Sequence, residues 1–301
     1  MNADEVSLLG LGRMGEPIAR RLLAGLGGLT VWNRTSSKAE PLRQAGAMVA
    51  AAPAQAAAPV TLTVFTDLDD VEQILSGDHG LMAGWAAAGG DRPILIVCGT
   101  VSPVAVADLG TRLDDSGVDL IDAPLSGGVA GAKSGSLSVM VGGSDTAVRR
   151  AWPVLTRVGR TVRHLGPIGA GQTAKACNQV VVAATVTALS ESLILADAAG
   201  IDRAALLELL SGGLANSEVL RQKRERWLNH DFAGGGSSRN QLKDLRFVSE
   251  AITARGLTLP IAATLLDIFE RAIDDGDGGL DHSGIELSIA RHATTAPVSP
   301  C

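Results

Sequence analysis

The sequence has little cysteine and no excess of positive charge, and each shortage excludes a class of protein. Its three cysteines, Cys98, Cys177 and Cys301, show no spacing typical of a metal site, and an odd number argues against a disulfide framework. They suit a reducing compartment, so we expect a cytoplasmic protein without a metal centre. The formal net charge of −6, with no basic run to offset it, argues against a nucleic-acid partner.

Long uninterrupted apolar runs are missing as well. The longest candidate, residues 180–199, is interrupted by a Ser-Glu-Ser run at 190–192 and by Asp197, so no membrane-spanning helix is expected. The first ten residues, MNADEVSLLG, carry acidic side chains where a signal peptide carries positive charge. Apolar residues make up 46% of the 301 and charged residues 19%, which is typical of a soluble two-domain enzyme and not of a disordered chain.

Short β-branched runs alternate with helical stretches in the first half of the chain. The candidate strands are residues 6–10, 29–33, 60–65, 94–98, 118–122, 137–141 and 161–165. This alternation predicts βαβ units around a mostly parallel sheet. After residue 171 the pattern becomes helical, with candidate helices at 172–199, 203–211, 216–228, 240–255 and 260–274. The last eight residues, TTAPVSPC, are expected to fray.

A glycine-rich hexapeptide, GLGRMG at residues 10–15, follows the first predicted strand and opens a helix. In this context GxGxxG spacing predicts a dinucleotide site, in which the glycines permit the tight turn, the approach of the pyrophosphate and the packing of the helix on the strand. The helix N-terminus then stabilises the anion. A turn that is rich in glycine for other reasons is the weaker alternative here. The predicted cofactor contacts in the loop are Gly10, Leu11, Gly12, Arg13, Met14 and Gly15.

The end of the second strand distinguishes between the two nicotinamide cofactors. An NAD site usually places an acidic residue there, which accepts a hydrogen bond from the ribose 2′-hydroxyl. This sequence instead continues with Asn33, Arg34 and Thr35, and no acid occurs through Lys38. An arginine can pair with a 2′-phosphate while neighbouring hydroxyls donate to it. We therefore predict NADP(H); a surface arginine without a ligand is the alternative.

Lys175 is the one fully charged side chain between residues 164 and 190, and it stands at the head of an apolar helix. A lysine there costs desolvation energy unless it is paired, exposed or used in chemistry. At helical spacing it shares one face with Asn178, Gln179 and Val182. A partly desolvated ammonium beside two amides is typical of a proton donor, whereas an ordinary helix lysine more often lies at the surface.

A second polar cluster follows the predicted strand at 118–122, where the sequence reads DAPLSGG. Ser126, Gly127 and Gly128 are expected at the carboxyl edge of the sheet, where open α/β sheets bind ligands. A Ser-Gly-Gly loop exposes a hydroxyl and backbone N–H groups, which suit a carboxylate. Ordinary turn glycines are the alternative interpretation.

The motifs GLGRMG, DAPLSGG, GAGQTAKACNQ and LKDL occur in the order and approximate spacing of the β-hydroxyacid dehydrogenases. Over residues 5–293 the chain resembles this family, which includes 3-hydroxyisobutyrate dehydrogenase and 2-hydroxy-3-oxopropionate (tartronate semialdehyde) reductase. A composition break near PIGAGQ, residues 167–172, predicts the domain boundary. The resemblance implies an α/β fold with a Rossmann-type NADP-binding domain, here 1–167, and an all-α substrate and dimerisation domain, here 168–301, joined by a long helix. It implies an NADP-dependent oxidoreductase that interconverts a small β-hydroxyacid and its semialdehyde.

The resemblance also assigns catalytic and substrate-binding roles. Lys175 is implied to protonate the carbonyl oxygen during reduction and to act as the base in the reverse direction. Asn178 is implied to orient the substrate. Ser126, Gly127 and Gly128 are implied to hold the substrate carboxylate.

Further contacts are implied around the cofactor. Thr100 matches a position near the nicotinamide ribose, and Thr66 and Asp67 match a loop that passes over the cofactor. Lys243 of LKDL is implied to reach the cofactor or the substrate, with Asp244 fixing its helix.

Two departures from the family pattern affect the expected substrate pocket. The second amide of the usual KxxNN motif is Gln179, as in tartronate semialdehyde reductases, and it is kept as a substrate contact. The loop before LKDL, FAGGGSSRN at 232–240, lacks the Pro-Gly-Phe often found there. Its glycines predict a mobile segment, because glycine has no side chain to pack.

Two other functions stay open at this point. Imine reductases resemble the chain in the cofactor half but usually carry an acid or a tyrosine where Lys175 stands. A non-catalytic NADP-binding module can have the same fold, and the set of Lys175, Asn178 and Ser126 argues against it. The apolar helix at 172–199 must be covered by its own domain or by a partner chain. The family resemblance implies a homodimer or homotetramer that acts on a small carboxylate-bearing substrate.

Overall fold

The computed structural model describes residues 5–293, so the expectation of a frayed tail, which includes Cys301, lies outside the described residues. The chain divides into one compact unit that ends at Lys175 and a second that begins at Ala176. The predicted domains are 1–167 and 168–301. Their boundary and the functions assigned to them stay predictions.

The first unit is an α/β structure. Its strands are β1 (Val6–Leu9), β2 (Thr30–Trp32), β3 (Met48–Val49), β4 (Val60–Thr63), β5 (Ile94–Val97), β6 (Asp119–Asp122), β7 (Leu125–Ser126), β8 (Ser138–Gly142) and β9 (Thr161–Gly166). Its helices are α1 (Gly15–Leu26), α2 (Glu40–Gln44), α3 (Leu68–Leu75), α4 (Leu81–Ala88), α5 (Pro103–Asp115), α6 (Gly128–Ser134) and α7 (Asp145–Val158). Among the described residues the strand order is β3-β2-β1-β4-β5-β6-β8-β7, with β9 paired to β8.

Pairing is parallel from β3 through β6, which confirms the predicted mostly parallel sheet. β8 runs antiparallel to β6 and β7 and parallel to β9. From β1 the chain builds outward to β2 and β3, and it then returns to the other side of β1 with β4. Open α/β sheets bind ligands beyond the carboxyl ends of the strands at such a switch point, so the nucleotide site is expected beside β1.

The sheet carries a hydrophobic layer on each face, because successive side chains of a strand point to opposite faces. Leu8 of β1 and Ile96 of β5 belong to one layer, whereas Leu9 and Leu95 belong to the other. Helices α1 and α7 close the first layer, and α3, α4 and α5 close the second. All seven strands predicted from the sequence are present. β3 and β7 were not predicted, since two residues show no periodicity.

The second unit is helical. Its helices are the greater part of α8 (Ala170–Ala198), followed by α9 (Arg203–Gly212), α10 (Glu218–Asn229), α11 (Ser238–Thr253), α12 (Pro260–Asp274) and α13 (Ile285–His292). Trp227 and Phe269 are fully buried in its core. The five predicted helices are confirmed. α13 was not predicted, because its sequence, IELSIARH, alternates apolar and polar residues as a strand does.

The long helix α8 begins in the first unit and continues into the second. Among the described residues it is the one helix that is long and apolar enough to cross a membrane, judged by length and composition. Inside the structure 44% of its most apolar window is buried. The core helix of a soluble protein passes the same test, so α8 by itself does not indicate a membrane protein.

Candidate active site

The three glycines between β1 and α1 have different surroundings. Gly10 has φ +98°, which favours glycine, and a Cβ on Gly15 would overlap the carbonyl oxygen of Gly10. The folded chain therefore requires both. A Cβ on Gly12 would meet nothing within 4 Å, so the fold does not explain that glycine. Unobstructed approach to the backbone is what a dinucleotide pyrophosphate needs, and the loop fits that ligand.

Asn33 braces the glycine loop against the end of β2. Its Oδ1 accepts a hydrogen bond from the Leu11 N–H at 2.8 Å, and its Nδ2 donates to Thr35 O at 2.9 Å. A cavity of about 500 Å³ opens beside this brace. Predicted contacts that line it are Gly10, Gly12, Asn33, Arg34, Thr35 and Thr66, and they are joined by Lys38, Asp70 and His79. The structure thus brings much of the predicted cofactor set together.

Arg34 pairs with an acid that sequence reasoning did not include. Its side chain is 77% exposed, and its Nη1 lies 3.2 Å from Asp70 Oδ1 on α3. An exposed ion pair of this kind contributes at most about 1 kcal/mol, so a 2′-phosphate can replace the carboxylate. Lys38 lines the same cavity as a second cation. Two cations, Arg34 and Lys38, and one acid, Asp70, therefore line this end of the cavity.

The other predicted cofactor contacts of the first unit are outside the lining of this cavity. Asp67 is the residue from which α3 starts, at the carboxyl side of β4. Thr100 follows β5, the neighbouring strand. The remaining predicted contacts in the glycine loop are Leu11, which is buried, Met14, which is half-buried, and Arg13, which is exposed.

The segment Ser126–Gly128 follows a short strand pairing. Ser126 of β7 is opposite Ser138 of β8. Gly127 and Gly128 have φ values of +125° and +62°, which favour glycine. Both glycines are therefore required for the turn into α6 whether or not they bind a ligand. The predicted carboxylate site depends on the Ser126 hydroxyl and on the backbone of this turn.

Asp122, the last residue of β6, is fully buried and holds the start of α8. Its Oδ1 accepts from Gly169 N at 2.8 Å, and its Oδ2 accepts from Gln172 N at 2.6 Å. A carboxylate at this position satisfies N–H groups of the first turn and interacts favourably with the helix dipole. Burial raises the pKa of Asp122 to about 6, opposed by the backbone N–H groups that stabilise its charged form. A Cβ on Gly171 would overlap Met140 O, so this joint leaves no free space.

Lys175 lies one helical turn beyond this joint and is 7% exposed. Gln172, three residues earlier, is 1% exposed. Its Nε2 donates to Gly99 O at 2.8 Å, and its Oε1 accepts from Val101 N at 3.1 Å. Thr100 therefore lies between two backbone groups that are bonded to α8. Lys175 is buried, unlike an ordinary surface lysine, and its helix is hydrogen-bonded to the carboxyl edge of the sheet.

In the second unit the structure connects Gln179 to the LKDL segment. Gln179 Nε2 donates to Asp244 Oδ2 at 2.5 Å, which ties α8 to α11. Lys243 Nζ lies 3.8 Å from Asp244 Oδ1 and 5.4 Å from the centre of the Phe247 ring. Asn178 is half-buried on α8. Gln179 thus uses an amide proton within its own unit, and its contact with a substrate stays a prediction.

The loop at 232–240 is anchored by contacts that its composition did not suggest. The fully buried Asp281 accepts from Gly236 N at 3.1 Å and pairs with Lys223 Nζ at 2.7 Å. Burial raises the pKa of Asp281, but the Lys223 ammonium outweighs it and holds that pKa below its usual value. A Cβ on Gly235 would overlap the Asp281 carboxylate. Gly235 therefore makes room for a buried acid, and the expected mobility of the loop stays a prediction.

A larger cavity, of about 910 Å³, lies at the amino ends of β4 and β5. Two arginines that line it, Arg92 and Arg150, both pair with Asp119. Trp85 Nε1, also in the lining, donates to Ala58 O. Open α/β sheets bind ligands at the opposite, carboxyl edge, so we assign this cavity no ligand.

Sequence reasoning missed four polar residues of the candidate site. Asp122 and Gln172 stand inside the motifs DAPLSGG and GAGQTAKACNQ, so their positions were visible but their partners were not. Lys38 follows Arg34 closely, which is a local signal for a second cation. Asp70 gave no such signal, because it reaches the cavity from a different helix.

Two protein-family models together match most of the chain. The NAD binding domain of 6-phosphogluconate dehydrogenase matches residues 5–166, which is more than half of the chain. The model described as NAD-binding of NADP-dependent 3-hydroxyisobutyrate dehydrogenase matches residues 169–287.

Individual known proteins match over nearly their whole length. The chain is 31% identical to the 2-hydroxy-3-oxopropionate reductase of Escherichia coli strain K12, over 95% of this chain and 97% of that protein. It is also 31% identical to the NAD-dependent L-serine dehydrogenase of Pseudomonas aeruginosa, over 94% and 96%. Among solved structures, Psf3 in complex with NADP+ and 2-OPP has a TM-score of 0.82 at 25% identity, over 94% and 99%.

Proposed function

Since this chain belongs to the β-hydroxyacid dehydrogenase family and is an NAD(P)-dependent oxidoreductase, we propose that it interconverts a small β-hydroxyacid and its semialdehyde with NADP(H). The observation that carries this proposal is the burial of Lys175, 7% exposed, one turn beyond the start of α8. Lysine is seldom buried, and a buried lysine at this edge of the sheet suits a proton donor. The hydrogen bonds of Gln172 and Asp122 attach that part of the helix to the cofactor edge of the sheet.

The preference for NADP(H) is supported by the cavity beside Asn33. Arg34 and Lys38 provide two cations there, and the Thr35 hydroxyl is a further donor for a 2′-phosphate. Asp70 opposes them through its ion pair with Arg34. One similar protein is named NAD-dependent, and another was solved with NADP+, so the proposal depends on this chain's own residues.

When bound, the cofactor supplies a hydride at C4 of the nicotinamide for reduction and accepts it for oxidation. Lys175 donates a proton to the carbonyl oxygen of the semialdehyde as the carbonyl carbon gains the hydride, so the aldehyde becomes an alcohol. In the reverse direction the neutral amine takes the hydroxyl proton. Ser126 and the backbone of Gly127 and Gly128 hold the carboxylate, and Asn178 orients the carbonyl group.

The substrate class follows from the carboxylate site and from the family. Tartronate semialdehyde is a β-semialdehyde and 3-hydroxyisobutyrate is a β-hydroxyacid. Succinic semialdehyde and glyoxylate place the aldehyde one carbon farther from the carboxylate and one carbon nearer to it, respectively. An enzyme pocket discriminates a methylene by roughly 10- to 200-fold, so pocket shape selects among them. We propose a member of this set and test all four.

We also propose a cytoplasmic homodimer or homotetramer that has no nucleic-acid or membrane partner. Large apolar side chains on helices of the second unit support association, since Val181 is 63%, Leu195 70% and Leu209 75% exposed. Where such side chains form one contiguous patch, they mark a contact surface.

The test is cofactor turnover by the purified protein against that substrate panel, with NADPH and NADH in parallel reductions and with NADP+ and NAD+ for 3-hydroxyisobutyrate. We expect strong turnover of one member and a preference for the phosphorylated cofactor. Tight NADPH binding without turnover of any member would contradict the enzymatic proposal and favour a non-catalytic module. Equal use of both cofactors would contradict only the preference for NADP(H).

A further inference from the structure

The side-chain amide of Gln172 bridges the backbone on either side of Thr100. It is 1% exposed, and both of its polar atoms are used: Nε2 donates to Gly99 O at 2.8 Å, and Oε1 accepts from Val101 N at 3.1 Å. One acceptor and one donor of the backbone face the amide, so only one orientation satisfies both. Loss of this amide leaves the buried Val101 N–H and the partly buried Gly99 O without this partner.

The same helical turn is anchored a second time through the main chain. Gln172 N donates to Asp122 Oδ2 at 2.6 Å, and Gly169 N donates to Asp122 Oδ1 at 2.8 Å. A Cβ on Gly171 would overlap Met140 O, so the turn lies directly against β8. The start of α8 is therefore bonded to the end of β6 through Asp122 and to the segment after β5 through Gln172.

Lys175 follows Gln172 by three residues, which places it on the same face about one turn, or roughly 5 Å, along the helix. The segment Gly99–Val101 lies at the carboxyl edge of β5, on the side of the sheet where the glycine loop and the cofactor cavity open. A single side chain thus connects the turn that carries the proton donor to the edge where the hydride is transferred.

We propose that Gln172 is a positioning residue that sets the distance between the Gly99–Val101 segment and the Lys175 ammonium. This role rests on the proposed function, because the distance matters only if a hydride and a proton reach the same carbonyl group. Misplacement of a reacting group by about 1 Å costs about 100-fold in rate. Gln172 touches neither reacting atom and acts through the backbone and the helix.

The test compares Gln172→Met with the parent enzyme in single-turnover reduction, using NADPH and NADPH deuterated at the transferred position. Methionine has similar length and keeps the helix but makes neither hydrogen bond. We expect the hydride-transfer rate per bound cofactor to fall about 10- to 100-fold, with the dissociation constant of NADPH changed less than about threefold. The deuterium isotope effect on steady-state turnover should rise towards its single-turnover value, since chemistry becomes rate-limiting.

The matched control is Gln222→Met, because Gln222 is an exposed helix glutamine whose amide bonds only Glu218. It should match the parent in every measurement. If Gln172→Met does not fold, Gln172→Asn keeps the amide but is too short to bridge both groups, and the same fall is expected. A parental rate per bound cofactor, with an unchanged isotope effect, would overturn the role of Gln172. Absence of turnover in the parent itself would instead overturn the proposed function.

Discussion

The glycine loop and the start of α8 belong to the same α/β unit, yet they are built in opposite ways. Around Gly12 the chain leaves space that none of its own atoms fill, and the adjoining cavity is lined by exposed cations. Around Gly171 no space is left, and both oxygens of Asp122 are bonded to backbone N–H groups. Open space at Gly12 indicates a ligand because the GxGxxG spacing and the adjoining cavity suit a pyrophosphate, whereas a glycine enclosed by backbone atoms, such as Gly171, is required by the fold.

The largest effect is expected from Gly171→Ala. A Cβ there would overlap Met140 O, and backbone atoms cannot move aside at low cost. Alanine in a helix is ordinarily favoured over glycine by about 1 kcal/mol, but here we expect destabilisation of about 3 kcal/mol or more. Gly212→Ala is the control, because that helical glycine has open space around it, and it should unfold at the parental denaturant concentration or above. Urea unfolding of both variants checks the prediction, and equal stability would contradict it.

Gly12→Ala should separate ligand binding from folding. The added methyl group meets no protein atom, so the free energy of unfolding should change by less than about 0.5 kcal/mol. The methyl group would stand where the pyrophosphate approaches the backbone, and we expect NADPH affinity to fall at least about tenfold. Gly15→Ala is the contrasting variant and should fail to fold normally, since its Cβ would overlap Gly10 O. A parental NADPH dissociation constant for Gly12→Ala would contradict the assignment of Gly12 to ligand binding.

Arg34→Ala should change the cofactor preference without a change in stability. Loss of a charge-assisted contact to a 2′-phosphate is expected to weaken NADPH by about 10- to 100-fold and NADH by less than about threefold. Arg43→Ala removes a similarly exposed arginine that pairs with Glu40 and does not line the cavity, and it should leave both affinities unchanged. If Arg34→Ala weakens the binding of NADPH and NADH equally, Arg34 supports the loop and does not bind the 2′-phosphate.

The last prediction concerns the pH dependence of stability. Burial raises the pKa of Asp122 from 3.8 to about 6, so the folded state holds this proton more tightly than the unfolded state does. The contribution of Asp122 is therefore fully present below about pH 4 and is lost as the pH rises through about 6, by at most about 3 kcal/mol. The stability deficit of Asp122→Asn relative to the parent should shrink over this range in urea titrations. A deficit that grows with pH would contradict the assignment.

Much of the fold follows from local patterns in the sequence. The seven predicted strands are short β-branched runs bounded by turns, and the glycine loop follows the first of them. The burial of Lys175 was foreseeable, because one charged residue in an apolar stretch of this length requires a special environment. Information of this kind lies within a few residues and needs no knowledge of tertiary contacts.

The rest depends on residues that are distant in the chain. Asp70 reaches Arg34 from 36 positions away, and Asp281 fills the space that Gly235 leaves. In both cases a carboxylate from a distant part of the chain changes what the local sequence indicates. Asp70 pairs with an arginine that was expected to bind a phosphate, and Asp281 packs against a loop glycine. The composition of the 232–240 loop does not reveal the acid that packs against Gly235, because Asp281 is distant in the chain.

The most direct test of the central claim is Lys175→Met, measured for NADPH binding and for turnover of whichever substrate the parent reduces. Methionine keeps the length and the apolar stem of lysine but cannot donate a proton. We predict that the dissociation constant of NADPH stays within about threefold of the parental value while turnover falls by at least about 100-fold. A variant that binds NADPH normally and turns over at the parental rate would contradict the account.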